Sequence, residues 1–137
     1  MSQENVEALR WLYGEWAKGD LWALREIADQ NIEWEWSPAL ASVSGGPRIY
    51  RGLDEIGAAT LEFLGAWDRY WMTAEDFIDA GDETVVVLMR LHAQAEGTDS
   101  VIEQSSTAVW TLRNGRAVHV RYYDDRAEAL EAVGLSG

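Results

Sequence analysis

The sequence predicts an α+β fold in which a strongly curved antiparallel sheet wraps around N-terminal helices. Helical periodicity dominates the start of the chain and returns after Gly52, whereas strand-like segments prevail from about Tyr70 onward. Asn114-Gly115 is a strong signal for a two-residue hairpin between the last strands. Helices followed by hairpin-linked strands are typical of α+β proteins, and such a sheet leaves a pocket between itself and the helices.

Two helices are predicted at the N-terminus. The first extends from Ser2 to about Lys18, Gly19 ends it, and Asp20 is placed to cap a second helix, "LWALREIAD". The buried face of the first helix is predicted from the spacing of Val6, Leu9, Tyr13, Trp16 and Ala17.

A half-buried strand, "NIEWEWSP", follows. Ile32, Trp34 and Trp36 alternate with Glu33 and Glu35, so the apolar residues share one face of the strand. The segment "ALASVSGGPRIYRG" is predicted to be a loop or irregular hairpin, and "LDEIGAATLEFLGAW" resumes helical spacing.

The second half of the chain is predicted to consist mainly of strands. They are "YWMTAEDFIDAG", "ETVVVLMRLHAQAEG", "SVIEQSSTAVWTL" and "RAVHVRYYD". Asp125 and Glu128 fit a capping box for a last short helix. No linker or repeat interrupts the chain, so residues 1–137 are expected to form one domain.

Composition excludes several classes of function. The net charge of −13 repels nucleic acid and anionic membrane surfaces, so neither is expected as a partner. The chain has no cysteine, and its two histidines lack the spacing of metal ligands, so we expect no metal and no cofactor. Neither a signal peptide nor a membrane span is visible, which predicts a cytoplasmic protein.

Arg90 and His92 raise the question of a polar site inside the predicted sheet. They lie two residues apart in "LMRLHAQ" and therefore share a strand face with Leu88. That face is either exposed to water or lines a cavity. Arg90 could grip a ligand oxygen or form a structural ion pair with a carboxylate such as Asp124. His92 could act as a general base or simply form a structural hydrogen bond.

Eight tryptophans are many for 137 residues. Large rigid aromatic side chains fill cores, but they also build apolar walls for ligands. Both interpretations stay open for the tryptophans that we expect to surround a flat apolar ligand. These are Trp16, Trp34, Trp36, Trp67, Trp71 and Trp110, with Tyr13 beside them on the first helix.

Three segments resemble one known family. "WAKGDLWALREIADQNIEWEWSP", "YRGLDEI" and "VWTLRNGRAVHVRYYDDRAEALEAVGL" look like the SnoaL-like branch of the nuclear transport factor 2-like superfamily. The resemblance covers nearly the whole chain. It implies a cystatin-type cone with an internal pocket, and a homodimer formed through the outer face of the sheet. It says little about activity, because members include isomerases, epoxide hydrolases, dehydratases and polyketide cyclases.

The catalytic groups of the better-known members are mostly absent. The three positions of the ketosteroid isomerases fall on Trp36, Leu12 and Ala108. The Arg-x-Asp pair of the epoxide hydrolases corresponds to Arg90-x-His92, which keeps the arginine and replaces the acid. This mapping places Arg90 and His92 in the cavity.

The late strands supply further candidates. Counting from Gly115, Tyr122 and Asp124 share the predicted inward face, and Asp124 is the carboxylate closest to the acid of the cyclases. Asp124 could instead cap the last helix, and Tyr122 could simply pack. Gln104 and Ser106 are predicted to line the pocket.

Three functions follow. The first is an enzyme for proton transfer or water addition on an apolar ring substrate, in which Arg90 polarises an oxygen and either His92 or Asp124 moves a proton. The second is a non-catalytic binder of a small apolar molecule, and the third is a dimerisation module.

Overall fold

The computed structural model describes residues 2–38, 41–42, 48–65, 67–81 and 83–135. Helices precede and follow a set of strands in the order expected for α+β proteins. The elements are α1 Ser2–Ala17, a 3-10 helix Leu21–Glu26, β1 Ala28–Glu35, β2 Ile49–Arg51, α2 Leu53–Leu64, β3 Trp67–Asp79, β4 Thr84–Ala95, β5 Val101–Arg113, β6 Arg116–Tyr123 and α3 Arg126–Ala132.

The strands form one six-stranded sheet in the order β2-β1-β6-β5-β4-β3. β1 runs parallel to β6, and the other neighbouring pairs are antiparallel. The register of β3 against β4 shifts between Trp67 and Arg69 and again between Ala74 and Asp76. Such bulges bend a strand and increase its twist, so they help the long strands curve. The predicted curved sheet around helices is confirmed.

The N-terminal helices form where the sequence predicts them, with one difference. Leu9, Leu12, Tyr13 and Trp16 are buried on one side of α1, which packs across β3. Asp20 caps the next element by accepting a hydrogen bond from the Trp22 amide at 3.2 Å. That element is a short 3-10 helix that ends at Glu26 instead of the predicted longer helix.

The two faces of the sheet have separate cores. On the inner face, side chains of β4 and β5 meet α1 and β1, as Val87, Met89, Ala108 and Trp110 illustrate. On the outer face, a smaller cluster lies beneath α3 and is formed by Val86, Val109, Tyr123, Ala129 and Leu130. The alternation of these strands therefore separates a large inner core from a small outer one.

The predicted hairpin and final cap are both present. Asn114 and Gly115 have φ values of 53° and 77°, as a two-residue turn between β5 and β6 requires. Asp125 accepts a hydrogen bond from the Ala127 amide at 2.9 Å at the start of α3. Half of the predicted loop "ALASVSGGPRIYRG" lies outside the described residues, and its end forms β2. In the part of the chain that is described, no helix has the length and apolarity needed to cross a membrane.

Candidate functional site

A cavity of about 360 Å³ lies between the inner face of the sheet, α2 and the 3-10 helix. Its volume falls within the usual range of sites for small molecules. Glu33 and Glu35 point to the opposite side of β1, so this strand presents its tryptophans to the cavity. Aromatic side chains dominate the wall: Trp16, Trp22, Trp34, Trp36, Tyr50, Phe63 and Tyr70.

Several hydrogen-bond donors in this wall have no acceptor. The indole nitrogens of Trp16 and Trp34 and the hydroxyl of Tyr70 are buried and make no hydrogen bond with any described residue. A buried donor that loses water without gaining a partner costs about 1–3 kcal/mol. An acceptor brought within reach of these groups would remove that cost.

A second, smaller chamber of about 140 Å³ adjoins the first. Trp36, Phe63 and Tyr70 line both chambers and therefore form the wall between them. The Phe63 ring packs edge-to-face against Tyr70, with centroids 4.8 Å apart, and stacks near Trp36 at 6.4 Å. The remaining lining of the second chamber is Trp67, Leu91, Ala93, Ile102 and Gln104.

A layer of buried aromatic groups supports the cavity from behind. The Trp110 indole donates a hydrogen bond to the Tyr13 hydroxyl at 3.0 Å, and that hydroxyl donates to the Met89 sulfur at 3.4 Å. The Tyr122 hydroxyl donates to the Met72 sulfur at 3.9 Å, and its ring lies against Trp34 and Trp36. These contacts fix the tryptophans that face the cavity.

The buried tyrosines are proton donors at neutral pH. Burial raises the pKa of Tyr70 far above its usual value of about 10. Burial does the same to the pKa of Tyr13, although the hydrogen bond from Trp110 acts in the opposite direction. Burial also raises the pKa of Tyr122, and the nearby Tyr13 hydroxyl adds to the effect.

Charge is confined to the rim of the cavity. Among the described residues that line the two chambers, Arg25 and Asp54 carry charges, and both are exposed. Arg25 donates from Nε to the Trp22 carbonyl at 3.4 Å. The interior can therefore donate hydrogen bonds to a ligand, but its described residues offer no carboxylate or imidazole to remove a proton.

The prediction that Arg90 and His92 face the cavity is wrong. Met89 and Leu91, their neighbours in β4, are buried in the inner core, so alternation turns Arg90 and His92 to the outer face. Arg90 reaches Glu75 at 3.5 Å and Glu103 at 3.7 Å, and its side chain is 39% exposed. Its environment is that of a surface ion-pair network.

His92 belongs to the same outer network. Its Nε2 lies 2.9 Å from the Thr73 hydroxyl, its Nδ1 lies 3.6 Å from Glu103, and its ring stacks on Trp71 with centroids 4.8 Å apart. Trp71 therefore lies outside the cavity, contrary to the prediction. Leu88 shares this face and packs against the outer cluster under α3, so its predicted place in the pocket is also wrong.

Other predicted residues divide into lining and supporting groups. Trp16, Trp34 and Trp36 line the larger chamber, and Trp67 and Gln104 line the smaller one. Three form the supporting layer instead of the wall, namely Tyr13, Trp110 and Tyr122. Ser106 is buried and its hydroxyl donates to the Tyr123 carbonyl at 3.5 Å. Neither Ser106 nor the exposed Asp124 is among the described lining residues.

Sequence reasoning missed the contribution of α2 and of Tyr70. Ile56, Ala59, Thr60 and Phe63 of α2 line the larger chamber. The helical spacing of Ile56, Ala59 and Phe63 was a usable signal, because it gives α2 one face toward the sheet. For Tyr70 there was no comparable signal in the sequence. The predicted strand began at this residue, so the pattern did not show which face of the sheet its side chain occupies.

The fold and the site together define a class of protein: an α+β cone whose curved sheet encloses an aromatic cavity. The SnoaL-like domain model matches residues 8–120, and the chain belongs to this family. No curated protein matches the chain. The described residues contain no group of three or more His, Cys, Asp or Glu side chains arranged to hold a metal ion.

Solved structures support the same fold. An NTF2-like protein of unknown function from Burkholderia pseudomallei K96243 is 22% identical, with a TM-score of 0.77 over 96% of this chain and 98% of the other. TerC, co-crystallised with polyporic acid, is 18% identical, with a TM-score of 0.77 over 95% and 98%. A candidate SnoaL-like polyketide cyclase from Jannaschia sp. CCS1 is 18% identical, with a TM-score of 0.72 over 99% and 95%.

Proposed function

We propose that this protein binds a flat, uncharged, largely apolar ring compound that carries acceptor oxygens, such as a carbonyl or an ether. The observation that carries the proposal is the set of unpartnered donors in the aromatic wall, from Trp16, Trp34 and Tyr70. Aromatic faces favour a planar ligand, and donors without acceptors favour one that brings oxygen lone pairs.

The absence of charge along the described interior narrows the class of ligand further. A charged ligand would lose its hydration without gaining an ion pair inside, because Arg25 and Asp54 lie exposed at the rim. An uncharged ring compound avoids this cost. The co-crystallisation of TerC with polyporic acid supports the choice of a small molecule as the occupant of this fold.

Binding can be tested with chromone and naphthalene, which have similar two-ring outlines. Chromone carries a carbonyl and a ring oxygen, and naphthalene carries none. We expect chromone to bind more tightly by isothermal titration calorimetry, and Tyr70→Phe to weaken it about three- to tenfold while leaving naphthalene unchanged. Equal affinities for the two compounds, or no heat with either, would contradict the proposal.

A variant that fills the larger chamber tests whether the ligand binds there, and a surface variant serves as its matched control. Ala59→Phe places a ring into the larger chamber from α2, whereas Ala127→Phe makes the same substitution on the exposed face of α3. We expect the first variant to lose chromone binding and the second to bind as the wild type does. Circular dichroism on both variants shows whether each remains folded.

An enzyme that acts on the same ligand is a second candidate, and Tyr70 is the observation that favours it. A protonated hydroxyl without a partner could polarise a carbonyl, so that a solvent or buffer base takes a proton from the adjacent carbon and the enolate then takes a deuteron from the solvent. The test is exchange of the α-hydrogens of 1-tetralone in deuterated buffer, followed by NMR. Exchange that the protein accelerates and Tyr70→Phe abolishes supports catalysis; exchange at the buffer rate restricts the protein to binding. The homodimer and the cytoplasmic location stay predictions.

A further inference from the structure

We infer that the smaller chamber is a separate subsite for a hydroxyl-bearing aromatic extension of the ligand. The inference rests on the proposed function and adds what the outer part of the ligand must look like. It predicts that the protein prefers compounds with two ring systems joined by a single bond over compounds that fill the larger chamber alone.

The shape of the site supports two compartments. Trp36, Phe63 and Tyr70 line both chambers, and their rings are held near one another by edge and stacked contacts. A rigid fused ring system long enough to enter both would meet these side chains. A ligand with a rotatable bond at the wall can turn its second ring to pass between them.

The polar groups of the smaller chamber define the chemistry of the extension. The Trp67 indole nitrogen and the Tyr70 hydroxyl are buried and make no hydrogen bond with a described residue. The Gln104 side-chain amide also lines this chamber and bonds to no other described residue. The Trp67 indole can donate a hydrogen bond to a ligand oxygen, while the Gln104 amide carbonyl can accept one from a ligand hydroxyl.

A phenolic hydroxyl meets both requirements, because its oxygen accepts and its hydrogen donates. Leu91 and Ala93 on β4 present apolar surface beside these groups, which suits the ring that carries the hydroxyl. Ile102 lines the same chamber and is 53% exposed, so the chamber reaches the protein surface there. The end of a longer ligand would therefore lie near the surface at the start of β5.

Three compounds separate the two chambers. Chromone fills the larger one; flavone adds a phenyl ring through a single bond; 4′-hydroxyflavone adds the hydroxyl. We expect flavone to bind about tenfold more tightly than chromone, since burying a further ring removes considerable apolar area from water. We expect 4′-hydroxyflavone to gain about another threefold or more from hydrogen bonds.

Variants then show which residue is responsible for the affinity gained from the phenyl ring and which for the affinity gained from the hydroxyl. Ala93→Leu fills the smaller chamber and should reduce flavone to the affinity of chromone, while chromone itself changes less than about twofold. Gln104→Leu should abolish the advantage of the hydroxyl, so that flavone and 4′-hydroxyflavone bind with equal affinity. Ala127→Leu on α3 is the matched control for Ala93→Leu, and circular dichroism checks the fold of all three.

The outcomes distinguish this inference from the proposed function. No binding of chromone to the wild type overturns both. Normal chromone binding overturns the separate subsite if flavone gains nothing, if Ala93→Leu weakens both compounds equally, or if Gln104→Leu preserves the advantage of the hydroxyl.

Discussion

The two faces of the sheet use polar groups in opposite ways. On the outer face, Arg90 and His92 lie 3.7 Å and 3.6 Å from Glu103, whose side chain is 51% exposed. On the inner side of the sheet, donors such as the Tyr70 hydroxyl are buried without an acceptor among the described residues. Polar groups that satisfy one another need no ligand, whereas buried unsatisfied donors carry a cost that a ligand can remove.

The same contrast appears between the tryptophans. Trp110 is fully buried on the inner face and holds Tyr13 in place. Trp71 lies on the outer face, where it stacks on His92 and under the Arg69 guanidinium at 4.5 Å. Because burial differs so much between these two positions, the identity of the residue alone does not decide its role.

Replacing an inner tryptophan should produce the largest effect. Trp110→Ala is expected to lower the free energy of unfolding by about 3–5 kcal/mol, because it removes a fully buried ring and leaves a cavity. Trp71→Ala on the outer face should cost clearly less. Urea unfolding of both variants measures the difference, and similar losses would show that the two faces do not differ in their contribution to stability.

Alkaline pH should destabilise the protein through its inner tyrosines. Burial raises the folded-state pKa of Tyr13, Tyr70 and Tyr122 above the unfolded value of about 10. Above that pH the unfolded chain releases protons that the folded chain retains. The contribution of these tyrosines to the free energy of unfolding is fully present below about pH 10. Above pH 10 the free energy of unfolding falls by about 1.4 kcal/mol per pH unit for each tyrosine that stays protonated in the folded state.

The measurement is urea unfolding at several pH values from 9 to 11, with phenolate absorbance followed in parallel. Tyr122→Phe should make the fall in unfolding free energy with pH less steep by about 1.4 kcal/mol per pH unit, which corresponds to one proton. Appearance of phenolate from Tyr122 while the protein remains folded would contradict the assigned cause, because it would mean that burial does not hold this proton.

Removing one inner hydroxyl should have a smaller effect. Tyr13→Phe keeps the ring but leaves the Trp110 indole nitrogen without its acceptor, and we expect a loss of about 1–3 kcal/mol. Tyr123→Phe on the outer side is the control, since its hydroxyl bonds to no other described residue. If both variants lose the same stability, the hydrogen bond from Trp110 contributes nothing measurable.

The fold could be predicted from sequence because its signals are local. The spacing of Leu9, Tyr13 and Trp16, the Asn114-Gly115 turn and the Asp125 cap each specify a short piece of backbone. The sequence also predicted which face of β1 is buried, because tryptophans alternate with glutamates there. These signals do not depend on distant parts of the chain.

The candidate site could be predicted only in part, because it depends on which face of each strand turns inward. In β4, a shift of one residue exchanges Met89 and Leu91 for Arg90 and His92. The resemblance to an Arg-x-Asp pair favoured Arg90 and His92 as the inward-facing residues, whereas the structure buries Met89 and Leu91 on the inner face. Tyr70 and Phe63 meet at the cavity only after α2 packs against β3, and no local pattern specifies that contact.

The smallest effect is expected on the outer face. Glu103→Gln removes the carboxylate that Arg90 and His92 share. The Glu103 side chain is 51% exposed. Exposed ion pairs contribute little, because water and salt screen them, so the loss should be at most about 1 kcal/mol. Chromone affinity should be unchanged, since the network lies across the sheet from the cavity. Titration of this variant therefore tests the assignment of function to the inner face, and a large loss of binding would move the site to the opposite side of β4.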